Sequence, residues 1–207
     1  MHRRLALIVV AIALLAVPAL AHGFGNVFPA VAGNPADRLL GKPIDAYSYD
    51  YATHCVKHPK KGTLALQGWL QRHAGGVAWG IIRCEMWGKH SASLHAEGRA
   101  LDWHLSARVP SEKREAERII SLLLATDKAG NVHALARRMG VQEIIFNCQG
   151  WFSGDGGMRP YSVCFDSKGH PKKVDDTTAH RDHIHFGLNK RGARMKTSFW
   201  QSPLAKR

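Results

Sequence analysis

The chain has 207 residues, of which 45% are apolar and 22% charged, and its formal net charge is +13. This composition excludes an intrinsically disordered chain, and the length allows one domain with a substantial core rather than two generous ones. The positive charge suits an exported protein that meets an anionic polymer, such as a bacterial envelope, an acidic polysaccharide or extracellular nucleic acid; it equally suits a solvated surface that keeps the protein soluble.

The chain opens with a basic start at Arg3 and Arg4, an apolar run from Leu5 to Leu20, and the small-x-small stretch Ala19-Leu20-Ala21. This is the pattern of a secretory signal peptide cut after Ala21, so residues 1–21 are expected to be removed and residues 22–207 to form one secreted domain. No second apolar run follows, so no membrane span is expected in the mature chain. Export makes disulfides the expectation for Cys55, Cys84, Cys148 and Cys164. None sits in a C-x-x-C pair, which argues against a thiolate zinc site. Three pairings are possible, and proximity favours Cys55–Cys84 with Cys148–Cys164 without deciding between them.

Residues 22–62 show no clean period and read as an irregular lead packed on the domain. A short helix is expected over Thr63–His73, with Thr63 as N-cap and Gly75-Gly76 as breaker. Val77–Met86 reads as a strand weakened by Gly80. Gly98 offers a turn before a strand over Arg99–Leu105, in which Leu101, Trp103 and Leu105 face the core and Ala100, Asp102 and His104 face away. Pro110–Thr126 is the strongest helix, with Pro110 in its first turn, Glu112 and Glu115 near its positive end, and Ala116, Ile119, Ile120, Leu123 and Leu124 as its apolar stripe. Asn131 is placed as cap of a shorter helix ending at Gly140. Strands are expected over Glu143–Asn147 and His183–Leu188, separated by a Gly-, Ser- and Asp-rich excursion from Gly150 to Lys173. Short strands among a few helices predict an α+β fold, a small antiparallel sheet with helices packed on it.

Two segments concentrate metal-ligand residues: Ser93 to Asp102, which contains His95, and His180 to His185. Zinc takes imidazole nitrogen and carboxylate oxygen, and a catalytic site uses three protein ligands and leaves one position for water. His95, Asp102 and one histidine of the second segment supply that set, since Gly98 lets the chain fold back between the first two. His183 and His185 share a strand face and can look into one cleft. The chain has 13 histidines, and His54, His58, His73, His90, His133 and His170 follow no ligand spacing and read as ordinary surface or core residues. No helix-turn-helix, zinc finger or RNA-binding signature is present, and nucleic acid is not an expected partner.

The first segment matches, position by position, a Ser-x-His-x-x-Gly-x-Ala-x-Asp pattern. It resembles the signature of the zinc D-Ala-D-Ala carboxypeptidase and L-alanyl-D-glutamate endolysin peptidase family, whose fold is shared with the hedgehog signalling domain. In the second segment Asp182 stands three residues before His185, which resembles the closing motif of that family. The added His180 and His183 are similar to secreted actinobacterial D-Ala-D-Ala carboxypeptidases and to penicillin-insensitive murein endopeptidases.

The resemblance implies one zinc ion held by His95, Asp102 and His185, with Asp182 as general base and His183 and His180 lining the cleft. It implies that Ser93 supports the shell around His95, and that Arg83 meets a substrate carboxylate, although Arg83-Cys84-Glu85-Met86-Trp87 departs from the usual surroundings of that Arg. On an ideal strand Asp182 points away from His183 and His185. It can act as base only if the strand begins at or after His183; otherwise His183 takes that role and Asp182 orients it. Trp87, Trp103, Trp151 and Trp200 could wall the cleft, but core packing is the default reading.

The implied activity is hydrolysis of peptide bonds in peptidoglycan stems, by a secreted and monomeric enzyme acting as carboxypeptidase or endopeptidase, with an anionic cell-wall polymer as a further partner of the basic surface. The competing expectation is a catalytically silent, zinc-stabilised module that binds cell-wall polymer. A nuclease is disfavoured because no phosphate-binding motif is present.

Overall fold

The computed structural model describes residues 32–206. The expected signal peptide lies outside the described residues. Among the described residues no helix is long and apolar enough to cross a membrane.

In chain order the elements are α1 (Lys61–His73), β1 (Val77–Gly80), β2 (Met86–Gly88), β3 (Ser91–Ala92), β4 (Ala100–His104), α2 (Pro110–Leu124), α3 (Ala134–Met139), β5 (Val141–Phe146), β6 (Gln149–Phe152), β7 (Arg159–Pro160), β8 (His183–Leu188) and α4 (Lys190–Ala193), with short 3-10 turns at Pro35–Leu39, Ser162–Cys164 and Pro203–Lys206. Six strands form one antiparallel sheet in the order β1-β4-β8-β5-β6-β7, and β2 and β3 form a small hairpin beside it. The fold is therefore α+β, as the order of helical and strand patterns predicts.

Strand alternation divides the large sheet into two faces. Leu101 and Trp103 of β4, Ile144 and Phe146 of β5, and Ile184, Phe186 and Leu188 of β8 belong to one buried cluster with Trp69 and Leu70 of α1 and the apolar stripe of α2. The opposite face carries Asp102, His183, His185 and Glu143, together with a smaller apolar group that includes Leu94, Ala96 and Ala100. One face thus holds the fold together while the other is free for polar chemistry.

The stripe of α2 is buried as its spacing requires: Ala116, Ile119 and Leu123 are fully covered. Leu123→Ala should cost about 2–5 kcal/mol of unfolding free energy through lost burial and a residual cavity, read as a lower urea midpoint with unchanged slope.

Several boundaries differ from the sequence reading, each for a local reason. α1 begins at Lys61, and Thr63 is not its cap: the Thr63 hydroxyl donates instead to Gly98 O at 2.8 Å, tying the helix to the turn before β4. The strand expected over Val77–Met86 stops at Gly80, and the chain then leaves the sheet, so Arg83 lies on a connecting loop. Asn131 does not cap α3; its amide donates to Asp127, and His133 occupies the cap position with a left-handed φ of 53°. α3 does end at Gly140, whose φ of 74° is the left-handed value glycine tolerates. The excursion from Gly150 to Lys173 is not all loop, since β6 and β7 extend the sheet into it.

Both disulfides take the pairing that proximity favours, Cys55–Cys84 and Cys148–Cys164. The first ties the N-terminal lead to the Arg83 loop, and the second ties the β5–β6 turn to the segment carrying Tyr161. Their presence, with no membrane-length helix among the described residues, is compatible with an extracellular protein.

Candidate metal centre and cleft

The centre is assembled by register. β4 and β8 pair so that Asp102 stands directly opposite His185 and His104 opposite His183. β8 begins at His183, so Asp182 lies before the strand and escapes its alternation. His95 arrives from the turn that precedes β4. That turn is closed by bonds from Ala96 N to Ser93 O and from Gly98 N to His95 O. Gly98 takes a φ of 65°, and a Cβ there would come within 2.8 Å of His58 O, so both conformation and space call for glycine. Below the turn, buried Glu97 accepts from Arg99 Nε at 2.8 Å and Thr53 N at 2.8 Å, while Arg99 donates to the carbonyls of Leu188 and Asp50. These two residues, given no role in the sequence reading, lock the ligand turn to β8 and to the N-terminal lead.

His95 Nε2, Asp102 Oδ1 and His185 Nδ1 converge, each 3.1 Å from the other two. All three residues are buried. The remaining polar atoms of each are already engaged. His95 Nδ1 donates to Ile81 O at 2.9 Å, which leaves Nε2 as a lone pair when the ring is neutral. His185 Nε2 donates to Glu143 Oε1 at 2.8 Å, leaving Nδ1 likewise. Asp102 Oδ2 accepts from Arg83 at 3.0 Å. With both rings neutral, the state in which a metal is bound, the three inward atoms are all acceptors. A tetrahedral ion with bonds of about 2.0–2.1 Å would separate its ligand atoms by about 3.3 Å, close to the 3.1 Å seen here. The group can hold a metal ion.

The electrostatics show what holds the group together when no cation is bound. Burial lowers the pKa of His95. Burial also acts against a charged His185, but bonds and charges from Asp102 and Glu143 outweigh it and lift that ring to about 9. Burial opposes an ionised Asp102, yet the two histidines hold its carboxyl far below the usual range. Asp102 and Glu143 thus favour a positive charge at His185, which a proton or a metal ion can supply.

Around it stand the other residues singled out from sequence. His183 is buried; its Nδ1 contacts Asp182 Oδ1 at 2.7 Å and its Nε2 lies 3.5 Å from Asp102 Oδ1. The second oxygen of Asp182 accepts from the Thr177 hydroxyl at 2.5 Å. The His180 ring lies 4.7 Å from that of His183 and 5.7 Å from that of His185, and burial followed by its two histidine neighbours lowers its pKa to about 3. Ser93 Oγ accepts from His95 N at 3.3 Å. Arg83 binds Glu85 through Nε at 2.5 Å and Asp102 through Nη1 at 3.0 Å, so two of its three guanidinium nitrogens are engaged. Trp103, Trp151 and Trp200 are core, but Trp87 is not: it is 72% exposed and lines the cleft, because the chain leaves the sheet before reaching it.

Glu143 is the functional candidate that sequence reasoning passed over. It is an acidic residue on a strand buried throughout, and that misplacement was the available signal. Besides His185 it accepts from the Tyr49 hydroxyl. Gly187, its cross-strand neighbour, makes room, since a Cβ at Gly187 would lie 2.5 Å from Glu143 Cγ. Burial opposes its ionisation, and the bonds from His185 and Tyr49 with the charge of Arg99 overcome it. Glu143 thus fixes the tautomer and orientation of His185. Glu143→Gln should weaken zinc affinity by about 10–100-fold in competition with a chromophoric chelator, while the fold is retained.

Fold and site together define an α+β domain whose sheet presents a buried His–Asp–His group able to hold a metal in an open cleft. A family model described as VldE, C-terminal domain, matches residues 55–175, and because this is more than half of the chain, the protein belongs to that family. The matched stretch includes His95, Asp102, Glu143 and all four cysteines and ends before His180, Asp182, His183 and His185. No curated protein and no solved structure matches the chain.

Proposed function

We propose that this protein is a secreted zinc-dependent peptidase that hydrolyses peptide bonds of bacterial peptidoglycan. The observation that carries this reading is the set of three buried acceptors, 3.1 Å apart, with the Asp182–His183 pair beside them in an accessible cleft. The substrate class comes from the resemblance of Ser93–Asp102 and His180–His185 to the zinc D-Ala-D-Ala peptidases. His95 Nε2, Asp102 Oδ1 and His185 Nδ1 would hold the ion. Bound zinc supplies a Lewis acid that polarises a carbonyl and lowers the pKa of water to about 7.

The chain's own residues supply the proton handling. Asp182 holds the Nδ1 proton of His183, which leaves Nε2 free to take a proton on the side facing Asp102. Both oxygens of Asp182 are engaged, by Thr177 and His183. We therefore assign the base to His183 and the orienting role to Asp182, although the family resemblance favours Asp182 as the base and β8 begins at His183, the start that role requires. A protonated His183 can then return the proton to the leaving amine. Away from the centre, a cavity of about 310 Å³ is lined by His54, Lys60, Arg99, Lys190 and Arg194 with Glu97 as its one acid, which suits contact with an anionic wall polymer.

The test is digestion of purified peptidoglycan by the zinc-loaded protein, with fragments identified by mass spectrometry. Release of peptide fragments that stops on chelation is expected. No release from walls of several chemotypes, by protein that binds zinc, would refute the peptidase and favour a wall-binding module.

A further inference from the structure

Two lobes of the cleft meet over the candidate metal centre. One, of about 330 Å³, is bounded by Tyr51, Ser93, Leu94 and Ile145 and reaches His95 and His185. The other, of about 570 Å³, is bounded by Val163, Thr177 and Thr178 and reaches Asp102 and His183. Arg83, Glu85, Trp87, Tyr161 and His180 line both lobes, so the cleft continues to either side of the ligand group. The two disulfides anchor the loops that carry Arg83 and Tyr161, which line both lobes.

Charge points the same way. Among the described residues that line the two lobes, Arg83 is the one guanidinium or ammonium group. Its Nε donates to Glu85 at 2.5 Å and its Nη1 to Asp102 at 3.0 Å. A C-terminal carboxylate needs a cation that can turn its donors toward it. Here it would meet an Arg whose Nε and Nη1 already serve two carboxylates, which leaves Nη2 for one bond and not a two-bond clamp, with Glu85 repelling it from close by. An uncharged backbone passing through both lobes meets no such obstacle.

We propose that the substrate chain continues on both sides of the scissile bond, so that this site cuts an internal peptide bond rather than removing a C-terminal residue. The inference rests on the peptidase reading above. The step is hydrolysis: the oxygen of water bonds to the acyl carbon, the C–N bond breaks, and the leaving amine takes the proton.

The test uses the zinc-loaded protein and two synthetic stem peptides that share one D-Ala-D-Ala bond. One ends there as a free carboxylate, and the other is extended beyond it and capped as an amide. The capped peptide should be cut about tenfold faster or more. Glu85→Gln, which frees one face of Arg83, should shift that ratio about tenfold toward the free acid. Release of a single terminal residue from the free acid, with the capped peptide left intact, overturns the inference and leaves the peptidase standing. Cleavage of neither peptide overturns the inference for this bond, and it overturns the peptidase as well only when whole peptidoglycan also releases no fragments.

Discussion

Removing the bound metal with a chelator is expected to abolish peptide hydrolysis and to lower the melting temperature by about 5–10 °C. The stability effect follows from linkage: an ion present at about 100 times its dissociation constant adds about 2.7 kcal/mol to the folded state. In a chain of this size each kcal/mol moves the midpoint by about 2–4 °C. Two structural facts make this the largest effect expected of any single treatment. His95, Asp102 and His185 are all buried, so the lone pairs left behind gain little from water. They also come from three parts of the chain, the ligand turn, β4 and β8, and an ion at their meeting point adds a cross-link to the strand pairing of Asp102 with His185 and the bonds of Arg99 to β8. Differential scanning calorimetry with and without chelator measures it, and readdition of zinc should restore both melting point and turnover. An unchanged melting point would mean that the cluster is held by protons and hydrogen bonds alone.

The second large effect is expected from the Asp182–His183 pair. His183→Ala should reduce turnover by about 10²–10⁴-fold, the usual contribution of a general base, with metal content unchanged. Asp182→Asn should cost less, about 10–100-fold, because it disturbs the orientation of His183 and leaves the ring in place. The order of the two losses is the informative result. His183 is nearer the ligand group, with Nε2 3.5 Å from Asp102 Oδ1, whereas Asp182 is occupied by His183 and Thr177. If Asp182→Asn proves the more damaging, the carboxylate itself takes the proton and His183 supports it. Thr177→Val separates the cases further: removing a bond to Asp182 should mildly affect an orienting residue and more strongly affect a base.

The parts of the fold legible in the sequence are those governed by period. The stripe of α2, the alternation of β4 and the strand at His183–Leu188 all reflect burial on one face, and side chains on a periodic element have little choice of direction. Part of the candidate metal group was legible for a related reason, although the choice of His185 over His183, which shares its strand face, comes from the family resemblance. Asp102 and His185 sit on strands whose apolar partners, Trp103 and Ile184, must face the core, which turns both ligands to the other side. What the sequence withheld was set by contacts between distant residues. Thr63 has the chemistry of a helix cap but spends its hydroxyl on Gly98, which comes near only in the folded chain. Trp87 looks like core because tryptophan usually is, and only the early exit of β1 from the sheet exposes it. Arg83 reads as a free cation until Glu85 and Asp102 are seen to hold it. Glu143 needs both His185 and Gly187 beside it before its burial makes sense.

The most direct test of the central claim, that His95, Asp102 and His185 form a metal site, is elemental analysis of protein dialysed after zinc loading, compared with Asp102→Ala prepared identically. The wild-type chain should retain about one equivalent of zinc, and the variant should retain almost none while keeping a folded circular dichroism spectrum. Equal zinc in both proteins, or none in the wild type, would contradict the assignment.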